Sequence, residues 1–97
     1  MTVLSVDLDG VLCKETKPYS KAEPLTENIE LLKNLKNSKN VKIIIHTARR
    51  ERDRNITLKW LKNNGVPFDK LVMGKPRADF YIDDRAISLE DLCKTLK

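Results

Sequence analysis

The stretch Val3-Leu4-Ser5-Val6-Asp7-Leu8-Asp9-Gly10-Val11 decides how the rest of the chain is read. A mostly apolar run with β-branched residues predicts a buried strand. It leads into two carboxylates one residue apart and then a glycine. Side chains alternate along a strand, so Asp7 and Asp9 leave on one side and Leu8 on the other, as long as the extended geometry lasts. Gly10 accepts backbone conformations that most residues resist, so a sharp turn is expected there. Two like charges crowded at a strand end repel, and the pair needs a cation, a proton or hydrogen-bond donors.

Outward from this stretch, residues 3–7 form the first predicted strand and residues 11–23 a loop or small hairpin that Pro24 ends. Leu25, Ile29, Leu32 and Leu35 recur at helical spacing. Thr26 is the expected N-cap, with Glu27 and Glu30 at the positive end of the helix dipole, and Asn37, Ser38 and Asn40 close the helix. Val41 to Ile45 is the second strand. A second helix is expected over residues 50–64, with Ile56, Trp60 and Leu61 on its buried stripe and Gly65 as its terminator. Lys70 to Met73 is a third strand and Phe80-Tyr81-Ile82 a fourth. A last helix is expected from Ser88 to Leu96, with Ser88 and Asp91 as a capping box and Leu89, Leu92 and Leu96 on its apolar face. Strands alternating with helices predict a parallel sheet with helices packed on it.

Ninety-seven residues make one domain, residues 1–97, with a small core. The hydrophobic content is 40% and the charged content 34%, which favours a folded chain over a disordered one. No apolar run reaches membrane-spanning length, so no membrane partner is expected and the cytoplasm is the default compartment. Cys13 and Cys93 lack zinc-type spacing and read as unpaired thiols. The net charge of +5 favours anionic partners, a phosphorylated small molecule or a phosphorylated macromolecule end among them.

Four chemically loaded spots each follow a predicted strand: Asp7/Asp9, Thr47, Lys75 and Asp83/Asp84. Ligands bind outside the carboxyl ends of strands in open parallel sheets, so the fold gathers these spots into one site. Several carboxylates at one point call for a hard dication such as Mg²⁺, which takes oxygen ligands from one or two carboxylates, water and a substrate phosphate. Asp7 is then able to act as a covalent nucleophile on phosphorus, forming an aspartyl-phosphate. Lys75 and the Thr47 hydroxyl suit the equatorial phosphoryl oxygens, and Asp9 is left for general acid and base work.

These motifs, in this order, resemble those of the haloacid dehalogenase (HAD) superfamily of phosphohydrolases. Asp7-Leu8-Asp9-Gly10-Val11 is similar to its nucleophile motif, Thr47 to its Thr/Ser motif, Lys75 to its lysine, and Asp83-Asp84 after Tyr-Ile to its terminal acidic motif. The resemblance implies a minimal HAD-like (Rossmannoid) three-layer α/β fold, with a mainly parallel sheet of about four strands and helices packed on it. It implies Asp7 as nucleophile and metal ligand, and Asp9 as acid/base with its main-chain carbonyl on Mg²⁺. Thr47 and Lys75 become phosphate holders, and Asp83 or Asp84 the remaining metal carboxylate. The gaps between motifs hold no cap domain, and capless members often act on large substrates or close their sites by forming homo-oligomers. Thr-Ala-Arg and Gly-Lys-Pro-x-Ala-Asp-x-Tyr-Ile-Asp-Asp are also similar to small phosphatase-like proteins of capsule or surface-polysaccharide synthesis.

Plainer readings stand beside these. Thr47 is a natural N-cap, Lys75 a loop lysine before a proline, and Asp84 a partner for Arg85 or Arg77. Arg49 either reaches substrate phosphate or sugar or forms an ion pair behind the site. His46 reads as a packed strand-end residue, and Arg49-Arg50-Glu51-Arg52-Asp53-Arg54 as a solvated helix start. A receiver-like phosphoacceptor module uses similar residues, but it places its lysine last, whereas Lys75 precedes the final acidic pair. A non-catalytic interaction module on the same fold is the third reading.

Overall fold

The computed structural model describes residues 1–38 and 40–95. Its elements are β1 (Thr2–Asp7), a 3₁₀ turn (Tyr19–Lys21), α1 (Thr26–Ser38), β2 (Val41–His46), a second 3₁₀ turn (Glu51–Asp53), α2 (Arg54–Asn63), β3 (Lys70–Val72) and α3 (Leu89–Thr95). The three strands form one parallel sheet in the order β1-β2-β3, with Thr2 to Asp7 of β1 opposite Val41 to His46 of β2. Ile44 to His46 pair in turn with Lys70 to Val72. The α/β class and the parallel sheet agree with the sequence reading.

Burial alternates along the strands, as the pleat requires. Val6 and Leu8 of the β1 segment, Val41, Ile43 and Ile45 of β2, and Leu71 of β3 are buried. They pack with Ile29 and Leu32 of α1 and Trp60 and Leu61 of α2. The opposite face carries Val3, Ser5, Lys42, Lys70 and Val72, all exposed. The expected three layers are thus two among the described residues: a helical layer and a sheet with one open face. Trp60 is in the core, its indole N–H donating to the Ala22 carbonyl at 2.9 Å.

Helix ends follow their local chemistry. The Gly65 N–H donates to the Lys62 carbonyl and the Val66 N–H to the Leu61 carbonyl, at 3.1 and 3.0 Å. With Gly65 at a φ of 66°, this is a Schellman cap, and it fixes where α2 stops. The expected helix over 50–64 divides into a 3₁₀ turn and α2. The Ser88 hydroxyl caps α3 by accepting the Asp91 N–H at 3.1 Å, and Leu89 packs against the core. Leu96, expected on the same apolar face, lies outside the described residues.

The fourth strand does not form. Phe80-Tyr81-Ile82 pairs with none of the three strands, and residues 76–88 are exposed without interruption. β-propensity is a preference for a half-buried pleated surface, and here no such surface is offered to the segment.

Candidate functional site

β1 ends at Asp7, and the chain turns at once. The Leu8 carbonyl accepts the N–H groups of Val11, Leu12 and Cys13 at 3.3, 2.9 and 3.3 Å, while the Gly10 N–H donates to the Cys13 carbonyl at 2.7 Å. Gly10 sits at a φ of 91°, which a side chain would strain. The turn breaks the alternation that would have kept Asp7 and Asp9 together. Asp7 stays at the strand end, and Asp9 swings toward the residues that follow β2.

Asp9 enters a buried network. The Arg49 guanidinium grips its carboxylate with Nη2 at 2.8 Å from Oδ1 and Nε at 3.2 Å from Oδ2. The Thr47 hydroxyl donates to the same Oδ2 at 3.3 Å and accepts the Arg49 N–H at 3.1 Å. Arg49 Nη1 donates to Thr57 Oγ1 at 3.1 Å, and the Tyr19 ring lies 3.9 Å from the guanidinium carbon. Arg49 is 0% exposed, as are Thr47, Thr57 and Cys13. A guanidinium out of water needs hydrogen-bond partners, and each of the three nitrogens of this one has at least one. The Cys13 thiol beside it is pushed up to about 12 by burial, with the Asp9 charge adding to the effect, so it is a poor nucleophile.

Asp7 lies on the open side. One carboxylate oxygen accepts the Leu8 N–H at 3.0 Å and the other faces Lys75 Nζ at 4.0 Å, with the Asp7 side chain 37% exposed. Lys75 owes its place to the backbone. Thr47 N–H donates to the Val72 carbonyl, Gly74 N–H to that of Arg49 and Lys75 N–H to that of Thr47, at 3.0, 2.9 and 2.9 Å. These bonds stitch the loop after β3 to the loop after β2. The Lys75 ammonium also donates to His46 Nε2 at 3.1 Å and sits 3.9 Å from the centre of the Tyr81 ring. With Nε2 accepting, Nδ1 carries the proton and donates to Ser5 Oγ. Burial and the Lys75 charge hold the His46 imidazole below its ordinary pKa, which suits this acceptor role.

The structure therefore brings Asp7, Asp9, Thr47, Lys75 and Arg49 to one end of the sheet. Asp83 and Asp84 make no hydrogen bond or ion pair with that group among the described residues. Both are exposed, and Asp83 Oδ1 accepts the Arg85 N–H at 2.8 Å. The two acidic pairs do not form one cluster of metal ligands among the described residues. Among the described residues, no group of three or more His, Cys, Asp and Glu side chains is placed to hold a metal ion. Of the two readings of Arg49, the structure shows the ion pair behind the site: it is enclosed and pairs with Asp9. His46 is the packed strand-end residue expected, with Lys75 and Ser5 as its partners, whereas Thr57 was missed. Thr57 lacks any local signal, because its role depends on Arg49 arriving from another element.

No family model matches the chain, and no curated protein matches it. Among solved structures, it is similar to an MCSG target from Vibrio cholerae, with 33% identity over 96% of this chain and 88% of that one, and a TM-score of 0.81. It is also similar to a chain in the structure of the Pnkp1/Rnl/Hen1 complex, with 26% identity, 92% of this chain covered and a TM-score of 0.65. A chain of the Pnkp1/Rnl/Hen1 RNA repair complex shares the fold at 24% identity and a TM-score of 0.65, over 98% of this chain. The present chain spans only 32% and 30% of those two. Among the described residues no helix is long and apolar enough to cross a membrane. The chain belongs to one family with the Vibrio cholerae protein, and the two share a small Rossmann-like fold.

Proposed function

We propose that the chain is a Mg²⁺-dependent phosphohydrolase of the HAD type, acting through an aspartyl-phosphate on Asp7. The observation that carries this reading is the half-exposed Asp7 carboxylate at the end of β1 with the Lys75 ammonium 4.0 Å away. The order of the sequence motifs supports it, as does the likeness to a chain of the Pnkp1/Rnl/Hen1 complex.

An Asp7 oxygen attacks the phosphorus of a phosphate monoester in line, and the bond from phosphorus to the leaving oxygen breaks. The leaving oxygen takes a proton from Asp9. Water then attacks the phosphoryl group and gives its proton to Asp9, and the bond from phosphorus to Asp7 breaks, releasing phosphate. Lys75 holds an equatorial oxygen where transition-state charge resides. To serve as acid and base, Asp9 must turn out of the Arg49 fork, and Thr47 must turn its hydroxyl from Asp9 to reach a phosphoryl oxygen. A Mg²⁺ ion at this site would be held by Asp7, with water and the substrate phosphate completing its oxygen ligands. When bound, the ion offsets the negative charge between nucleophile and phosphate.

Phosphate release from p-nitrophenyl phosphate, dependent on Mg²⁺ and abolished by Asp7→Asn, tests the reading. Sugar phosphates, nucleotides and 3′-phosphorylated oligonucleotides complete the panel. The last are included because of the RNA repair likeness and the net charge of +5. Inactivity of folded protein against the whole panel would refute it.

A further inference from the structure

We propose that His46 and Tyr81 are positioning residues for Lys75: two uncharged groups, an imidazole and a phenol ring, fix its ammonium beside Asp7 and leave its charge free for a phosphoryl oxygen. The inference rests on the phosphatase reading for what Lys75 holds, but not for how Lys75 is held.

Other lysines of the chain offer the contrast. Lys14, Lys33 and Lys36 keep carboxylates of Glu23, Glu30 and Asp69 at 2.8, 3.1 and 2.9 Å. A carboxylate that close offsets the charge it binds. Lys75 is arranged differently. Asp7 stays at 4.0 Å, while His46 Nε2 accepts from the ammonium at 3.1 Å and the centre of the Tyr81 ring lies at 3.9 Å. An ammonium has three N–H donors and no acceptor. His46 takes one, and the electron-rich ring face covers another side. Neither group carries a negative charge, so the ammonium is oriented without being neutralised. What remains is for Asp7 and for the phosphoryl oxygens brought to it.

Each holder is itself held. Ser5 lies opposite Ile44 on β2, so it shares with His46 the sheet face away from the core. The Ser5 hydroxyl is hydrogen-bonded to His46 Nδ1. A proton on Nδ1 leaves Nε2 with a lone pair, so the serine selects the tautomer that the lysine needs. On the other side, the Tyr81 hydroxyl donates to the Pro76 carbonyl at 2.7 Å and ties the ring across the loop that carries Lys75. The Lys75 side chain is consequently only 24% exposed, although Gly74 and Pro76 on either side of it are exposed. A free lysine gives up rotamer freedom when it meets a phosphate. This one has given it up on folding, so the charge is in place before the transition state forms.

A double-mutant cycle tests the role, and the imidazole nitrogens test the geometry. With p-nitrophenyl phosphate and Mg²⁺, His46→Leu should lower kcat about tenfold with KM changed less than about threefold, since the aligned charge acts in the transition state. His46→Gln keeps an acceptor for Lys75 and a donor for Ser5, and its kcat should stay within about threefold of the parent. Tyr81→Leu should cost about two- to fivefold. In a Lys75→Ala background none of these changes should cost more than about twofold, because the group they position is gone. Equal costs with and without Lys75 would overturn the positioning role. In a long-range ¹H–¹⁵N spectrum of the unmodified chain at about pH 7.5, His46 is expected as its Nδ1–H tautomer, moving toward Nε2–H in Lys75→Ala. The spectrum requires neither activity nor a folded His46→Leu variant. An Nε2–H His46 in the unmodified chain would overturn the hold on Lys75 whatever the activity. The Nδ1–H form in a chain inactive against phosphate esters would support the hold and refute the phosphatase reading.

Discussion

Asp7 and Asp9 stand one residue apart and occupy opposite surroundings. Around Asp9, three buried side chains and an aromatic face enclose one guanidinium. Around Asp7, a lysine at the limit of ion pairing, a half-buried imidazole and an exposed ring leave room on the solvent side. As placed, the Asp9 half is closed on itself and the Asp7 half is open to receive something. The separation teaches that the turn at Gly10 does chemical as well as topological work, because it assigns two similar carboxylates to two different tasks.

The largest expected effect lies in the Asp9 half. Arg49→Ala leaves Asp9, Thr47 and Thr57 facing a cavity, and breaking a buried ion pair from one side costs about 3–5 kcal/mol. Urea unfolding should show a free energy of unfolding reduced by that amount. Asp7→Asn should stay within about 0.5 kcal/mol of the parent, since it removes a half-exposed charge and keeps an oxygen for the Leu8 N–H. Equal losses in the two variants would erase the distinction between the halves.

Lys75→Ala probes the Asp7 half at a smaller scale. Its backbone bonds to the loop after β2 survive the change, so the fold should hold. Phosphatase turnover is expected to fall about 10–100-fold, or ~1.4–2.7 kcal/mol in the barrier. Unchanged turnover with a large loss of stability would make Lys75 structural and reverse its assignment.

How far all this was legible depends on whether the deciding contact is local. The buried alternation Val41, Ile43, Ile45 continues through Thr47 to Arg49, all five inaccessible or nearly so. That pattern was present in the sequence, and a charged residue at its end hid it behind the mixed-sign run that follows. Gly65 and Ser88 were readable because a helix end is settled by a few neighbouring residues. Phe80–Ile82 was not, because a strand exists only where an edge receives it, and sequence preference cannot say which edge. Asp83 and Asp84 inherited that ambiguity, since their expected place depended wholly on the strand before them. Asp7 and Asp9 were given different tasks from the sequence but one common side of the strand, since alternation was carried one residue past the turn.

The smallest effect concerns pH and again separates the halves. His46 is held below its ordinary value of 6.5, first by burial and then by Lys75, with Asp7 partly opposing. The unfolded chain therefore binds this proton more readily than the native one. The His46 contribution is complete above pH 6.5 and is lost as pH falls below that value toward the lower native one. His46→Gln keeps a donor toward Ser5 and an acceptor toward Lys75 without the titration. Its stability at pH 7.5 should match the parent closely, and its decline between about pH 6.5 and pH 5 should be shallower. An identical decline in both proteins would move the acid sensitivity away from the Asp7 half. The measurement is direct because Gln preserves the polarity of the chain from Ser5 through position 46 to Lys75, so only the proton is removed from the comparison.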